Sequence, residues 1–315
     1  METLSLFASL VAAIVVEAAP FLLLGSLVSA CMEEWLTPER ITRLVPKHPV
    51  LGSLFGLVAG MALPTCECGV VPIVRRMLLK GVPPHTAITY MLAAPVINPV
   101  VLVSTYVAFQ ADLSMVALRA LFVAVPALAV GLALGRLRAE HLLKPARNNN
   151  EEHVHHGCAC HGHDHDHADH DHSKHGHEDR PVFIRILAHA GIEFLEMGQY
   201  LVLGAVAAAT IKTFMPSTWL FEVGGNMVLS VLFMMLLAVA LSICSEADAF
   251  VAASFTLFSK AAKLSFVAVG PMVDIKLGAM FLGVFRRPVA VALMIAPFVM
   301  VLLLSLFYGL FVEAG

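Results

Sequence analysis

The segment Leu63-Pro64-Thr65-Cys66-Glu67-Cys68-Gly69 breaks an apolar run with two thiols and a carboxylate. Leu241-Ser242-Ile243-Cys244-Ser245-Glu246-Ala247 repeats it in altered form. The apolar pieces flanking the first break, Val50–Leu63 and Val70–Leu79, are each too short to cross a bilayer. They read as the arms of a re-entrant helical hairpin with Cys66-Glu67-Cys68 at its tip. Non-helical backbone at such depth is tolerated only where protein or a water-filled cavity surrounds it. Two copies of a broken helix point to a transporter whose site lies between its halves.

The surrounding chain is a membrane chain. Of 315 residues, 59% are hydrophobic and 14% charged, and the mean hydropathy is +0.83. Soluble domains carry about 25% charged residues. Apolar stretches recur at Leu4–Ala30, Ala87–Phe109, Met115–Leu134, Ile186–Ile211, Leu264–Val284 and Val289–Phe311. Each is near or above the roughly 17–25 residues that a bilayer helix needs. The first stretch has no Lys or Arg ahead of it and carries Glu17 in its middle, so it reads as a retained helix rather than a signal peptide.

The repeat extends past the cysteines. Glu17-x-x-Pro20-Phe21-Leu22-Leu23-Leu24-Gly25 matches Glu196-x-x-Gln199-Tyr200-Leu201-Val202-Leu203-Gly204. Leu51 to Phe55 matches Leu229 to Phe233, and Pro95-Val96-Ile97-Asn98 matches Pro271-Met272-Val273-Asp274, at nearly constant offsets. The expected fold is therefore an all-α polytopic membrane protein of two inverted-topology repeats, 1–147 and 181–315, joined by a loop at 148–180. Each repeat would hold three full spans plus one broken hairpin. An odd number of crossings inverts the second repeat relative to the first.

Basic residues orient this arrangement. Arg40, Arg43, Lys47, Arg75, Arg76, Lys80, Arg136, Arg138, Lys144, Arg147, Arg180, Arg185, Arg286 and Arg287 fall on one side, against Lys212, Lys260 and Lys263 on the other. The positive-inside rule makes the first side cytoplasmic. Both termini then lie outside, and the expected location is a bacterial-type inner membrane.

Chemistry-bearing groups cluster at the breaks. Residues two apart point the same way only in extended chain, so Cys66 and Cys68 converge if the backbone unwinds, which Pro64 and Gly69 favour. Cys244 is positioned to supply a third sulfur. Two or three thiolates suit soft ions such as Cu(I) and, by the same reasoning, trivalent arsenic; Zn is also compatible. Glu67, Glu246, Asn98 and Asp274 complete the expected substrate-binding set, with Lys276 placed to pair with Asp274. Acids inside apolar segments are costly and mark functional sites. Glu17, Glu193, Glu196 and Asp248 are the expected proton-coupling groups. His189, Glu193 and Glu196 share one helical face.

The central loop is low-complexity and cannot fold by burial. It carries His153, His155, His156, Cys158, Cys160, His161, His163, His165, His167, His170, His172, His175 and His177. Neutral imidazole is a common ligand for Zn, Cu and Ni, so this cytoplasmic segment is expected to bind divalent metal. No P-loop run and no phosphorylatable D-K-T-G-T run is present, so any drive comes from an ion gradient or another chain.

Glu17-Ala-Ala-Pro20-Phe-Leu-Leu-Leu-Gly25, Pro64-Thr-Cys66-Glu-Cys68-Gly-Val-Val-Pro72, Lys80-Gly81-Val82-Pro83 and Ala94-Pro95-Val-Ile-Asn98-Pro99 resemble the YraQ-type permeases, which include the ArsP organoarsenical exporters and related Cu/Zn efflux proteins. The resemblance covers nearly the whole chain apart from the His-rich loop. It implies export of a thiophilic metal or metalloid, with Cys66 and Cys68 matching the family's Cys-x-Cys. Many members have Ser between the thiols where this chain has Glu67. The His-rich insert looks more like the Cu/Zn branch. The expected protein is a permease and not an enzyme. It needs no cofactor, and its partners are the cargo and the bilayer, with no nucleic acid; a homo-oligomer is compatible. Two rival readings are uptake of a small sulfur-containing anion and a membrane thiol redox protein using Cys66 and Cys68.

Overall fold

The structure is a computed structural model that describes residues 2–35, 45–46, 48–62, 65–144, 182–214 and 226–313. The first half gives α1 (Glu2–Trp35), α2 (Pro49–Ala62), α3 (Glu67–Leu79), α4 (Pro84–Ala93), α5 (Pro99–Ala108) and α6 (Leu113–Leu134). The second gives α7 (Val182–Phe214), α8 (Met227–Leu241), α9 (Asp248–Ser254), α10 (Lys260–Val269), α11 (Ile275–Val284) and α12 (Arg287–Tyr308). A one-turn helix, Ala139–Leu142, follows α6. Among the described residues four helices are long and apolar enough to cross a membrane, at Phe7–Cys31, Leu113–Leu134, Val182–Thr210 and Arg287–Val312. Their outer faces expose large apolar side chains, among them Val16, Phe183 and Leu195 at 71–73%, which in water would be an aggregation surface and in a bilayer is the solvated one. The chain is an all-α polytopic membrane protein.

The expected spans Ala87–Phe109 and Leu264–Val284 are corrected: neither is a continuous helix. The first stops at Ala93 and restarts at Pro99; the second stops at Val269 and restarts at Ile275. Proline explains both interruptions, because Pro95, Pro99 and Pro271 lack the N–H that an uninterrupted helix needs and their rings clash with the preceding turn. Each restart is capped by the residue the repeat pairs. Asn98 accepts from Val101 N (3.0 Å) and donates to Ala94 O (3.0 Å), bridging both arms, and Asp274 accepts from Leu277 N (2.6 Å). Helix α6 runs back along both arms of the first pair: Thr89 Oγ1 donates to Ala127 O (3.3 Å), and Arg119 donates to Thr105 Oγ1 (2.6 Å). The α4–α5 pair is therefore one discontinuous span.

Glycines fix the course of the first break. Gly52 lies against His85 and Thr86, Gly56 against Thr86 and Tyr90, and Gly60 against Ala94, so α2 and α4 run parallel in step. Helix α2 is about 20 Å long at 1.5 Å per residue, and α4 begins beside its start. Helix α3 must therefore return along that length, which places the reversal between α2 and α3. The second half repeats the pattern, with Ser265 Oγ donating to Val231 O (3.4 Å) and a Cβ placed on Gly270 falling 3.8 Å from the Ala238 methyl.

The halves meet along α1 and α7. Ala30 packs with Ile186 and Ala190, and Ile14 with Ala205 and Ala208, so the two helices run in opposite directions. At one end of the bundle Lys260 pairs with Asp112 (2.7 Å). At the other, Leu143 bridges to Phe285, Arg286 Nε donates to Leu143 O (3.2 Å), and Lys144 Nζ donates to Leu282 O.

Candidate functional site

The tip of the first break is the N-terminus of α3. Cys66 is its N-cap, extended at φ −77°, ψ 168°, and its sulfur accepts from Gly69 N (3.4 Å). Glu67 and Cys68 are the first two helical residues. Cys66 is half-buried and Cys68 is 1% exposed, and the two thiols are electrostatic neighbours at the tip. Only the first of them is in extended chain. All four described cysteines are free thiols. The tip sits against α1 at Gly25, where a Cβ would fall 2.5 Å from Gly69 O and 2.6 Å from its Cα, so only glycine fits.

The second tip differs. Ser242 ends α8 in the left-handed conformation (φ 47°, ψ 48°), and the carbonyl of Cys244 accepts from Ala247 N and Asp248 N, both at 3.0 Å. Helix α9 then has 7 residues against 13 in α3. Cys244 is 8% exposed and lies within electrostatic range of Glu67, Lys276, Glu17 and Cys66, so the three thiols, Glu67 and Glu17 share a neighbourhood. Glu246 is exposed. Among the described residues no group of three or more His, Cys, Asp or Glu side chains is arranged to hold a metal ion.

Two buried ion pairs tie the halves together at these tips. Glu67 Oε1 of α3 receives Lys276 Nζ of α11 at 3.2 Å, and Asp274 Oδ2 stands 3.5 Å from the same ammonium; all three side chains are within 2% of full burial. Both carboxylate oxygens of Asp248, the first residue of α9, accept from Nη2 of Arg119 on α6 (2.8 and 2.7 Å), which also reaches Ser245 O (3.1 Å), while Nη1 donates to Thr105 Oγ1. Gly204, the repeat partner of Gly25, packs on the Lys276 backbone, with a Cβ 2.6 Å from its Cα. The counts differ: Arg119–Asp248 is a neutral pair, whereas one lysine serves two carboxylates.

Arg119 is the residue that a search for acids alone passes over. It was visible as a lone guanidinium inside the Met115–Leu134 stretch, where a charge is as costly as any acid. Lys276 contacts Asp274, as the sequence suggested, and reaches Glu67 as well. Asn98 uses its amide on the break itself.

The His189, Glu193, Glu196 face of α7 meets the C-terminal end of α3. Arg75 pairs with Glu196 at 2.8 Å, and Arg76 Nε lies 3.9 Å from Glu193 Oε1. These five side chains, with Leu79 and Ile192, line a cavity of about 120 Å³. The histidines and cysteines at 153–177 lie outside the described residues.

The discontinuous helices, their tips meeting inside the bundle, and the apolar exterior define a membrane permease. The chain belongs to the ArsP_1 family, described as a predicted permease, whose model matches residues 3–310. It is 41% identical over 281 residues to the UPF0718 protein YcgR of Bacillus subtilis (strain 168), covering 89% of this chain and 88% of that one. It is 37% identical over 290 residues to a putative two-component membrane permease complex subunit of Streptococcus mutans serotype c (strain ATCC 700610 / UA159), covering 91% and 88%. No solved structure matches.

Proposed function

We propose that the protein exports a thiophilic metal or metalloid, Cu/Zn or a trivalent (organo)arsenical, by ion-gradient-driven alternating access between its two halves. The observation that carries this reading is the α3 tip: two neighbouring thiols and a carboxylate at a helix break, held against the other half by the Glu67–Lys276 pair. Cys66, Cys68 and Cys244 bind cargo, with Glu67 and Asp274 as oxygen donors and Asn98 holding the neighbouring break. Glu246 is a weaker member because it faces outward. The described thiols and acids do not form a ready three-ligand cluster, so this proposal requires the halves to move to complete the site.

Inverted repeats supply the two access states. In support, the two halves run through helices in the same order, of similar length except for α3 and α9, and α1 opposes α7. These helix directions collect Arg75, Arg76, Lys80, Arg136, Lys144, Arg185 and Arg286 at one end, which we assign to the cytoplasm together with the His-rich loop. That loop captures divalent metal. The Streptococcus mutans relative is named as a complex subunit, and we extend to this chain a second membrane component.

Everted vesicles from the native host, with its partners in place, test the proposal. Zn, Cu(I), arsenite and methylated trivalent arsenic are presented to wild type, a 148–180 deletion and the Cys66, Cys68, Cys244→Ser form. Proton-gradient-dependent accumulation that is lost in the serine form is expected. Full accumulation by the serine form would overturn the site, and growth on thiosulfate as sole sulfur source would favour anion uptake.

A further inference from the structure

Four acids were expected to carry protons, and their surroundings separate them. Asp248 is held by two short contacts from Arg119. Glu196 is 44% exposed and bonded to Arg75 at 2.8 Å. Glu17 is exposed on α1. Glu193 differs from all three: its side chain is 4% exposed, its nearest cation stands at 3.9 Å, beyond hydrogen-bonding distance, and Oε2 has no hydrogen-bond partner. It lines the cavity at the α3–α7 contact, so water has a route to it. A buried carboxylate with an oxygen left unbonded is costly when charged, and protonation relieves that cost.

We propose that Glu193 is the exchangeable proton carrier of this permease and that Arg76 is its competing counter-cation. The groups facing Glu193 are Arg76 and Arg75 from α3, Ser29 from α1, and Glu196 and His189 from its own helix. When Glu193 is ionised it attracts Arg76 and draws the C-terminal end of α3 to α7. A proton on Glu193 removes that attraction. Cys66, Glu67 and Cys68 sit at the opposite end of the same 13-residue helix, so proton occupancy at one end is transmitted as tilt or release of the cargo thiols at the other. The transport role rests on the permease reading; the proton itself does not.

The test is infrared difference spectroscopy of the purified full-length protein in H₂O and D₂O across a pH series, following protonated-carboxyl C=O bands. Glu193→Gln should lose one isotope-sensitive band that Glu196→Gln and Asp248→Asn keep. Arg76→Gln should move that band's midpoint to higher pH, because losing the cation disfavours the carboxylate. It also guards against a Glu193 variant that fails to fold. An unchanged set of bands in Glu193→Gln, or no upward shift in Arg76→Gln, would overturn the assignment. In everted vesicles Glu193→Gln should lose proton-gradient-driven accumulation and at most let cargo equilibrate, with no response to the gradient. A retained response would refute the coupling role, whereas failure of wild type to accumulate any cargo would refute the permease reading and leave the infrared assignment standing.

Discussion

Arg119→Met isolates the tie between α6 and the second break. The guanidinium is fully buried and Asp248 is 2% exposed, with two contacts of 2.8 and 2.7 Å between them. Removing the cation leaves a carboxylate in an apolar interior, and it also strips Ser245 O and Thr105 Oγ1 of their donor. Breaking a buried pair from one side costs about 3–5 kcal/mol. About 4 kcal/mol is close to a thousandfold in the folded-to-unfolded ratio. Detergent-solubilised protein titrated with sodium dodecyl sulfate and followed by circular dichroism reads this directly. The double variant Arg119→Met, Asp248→Leu should recover more than half of the loss, since apolar replacement of a whole buried pair is often neutral or better. Arg119→Lys should fall between, keeping charge and losing the fork. A single variant within about 1 kcal/mol of wild type, the range of an exposed pair, would refute the reasoning, as would a double variant no better than the single.

Glycine contacts give a second test: Gly25→Val and Gly204→Val force a side chain into backbone at 2.5–2.6 Å and should each cost about 1–3 kcal/mol or more. Gly198→Ala on α7 meets nothing within 4 Å and should be neutral or stabilising by up to about 1 kcal/mol; thermal unfolding in detergent checks all three. Asp112 lies outside the spans, and Lys260, then Ser114, hold its carboxyl below the usual carboxylate range. A lowered folded value means the contribution is complete above the ordinary carboxylate value near pH 4 and is lost as pH falls through the folded value. Both side chains are a third or more exposed, so Asp112→Asn should cost less than about 1 kcal/mol at pH 7, the gap closing in high salt and in strong acid. The cysteine series and the Glu193 spectra described above complete the set.

What the sequence disclosed follows local rules. The first tip was legible because Pro64, Gly69 and two arms too short to span all act within a few residues. The caps Asn98 and Asp274 were marked by the repeat. The broken spans were hidden, since apolar residues on both sides of Pro95 and Pro271 add to one hydrophobic stretch whether or not the helix is continuous. The identity of each acid's partner is a tertiary fact: Arg119 and Asp248 are 129 residues apart, Lys276 and Glu67 are 209. Arg119 was further masked by a 22-residue helix of mean hydropathy 2.2, in which one charge barely moves the average.

The repeat also made the two tips look more equal than they are. Cys66 aligns with Cys244, yet the helix after the first is nearly twice the length of the helix after the second, and only the first has a thiol two residues on. The second tip instead spends its first helical residue, Asp248, on a guanidinium that also binds the tip's own carbonyl at Ser245. One break is therefore bolted to the opposite half by a charge-balanced pair whose cation makes three contacts across the interface. The other is held by a single lysine divided between two carboxylates, with Glu67 Oε2 lacking a hydrogen bond. Under the proposed alternating access, the less satisfied interface is the one expected to give. It is also the one that carries the paired thiols.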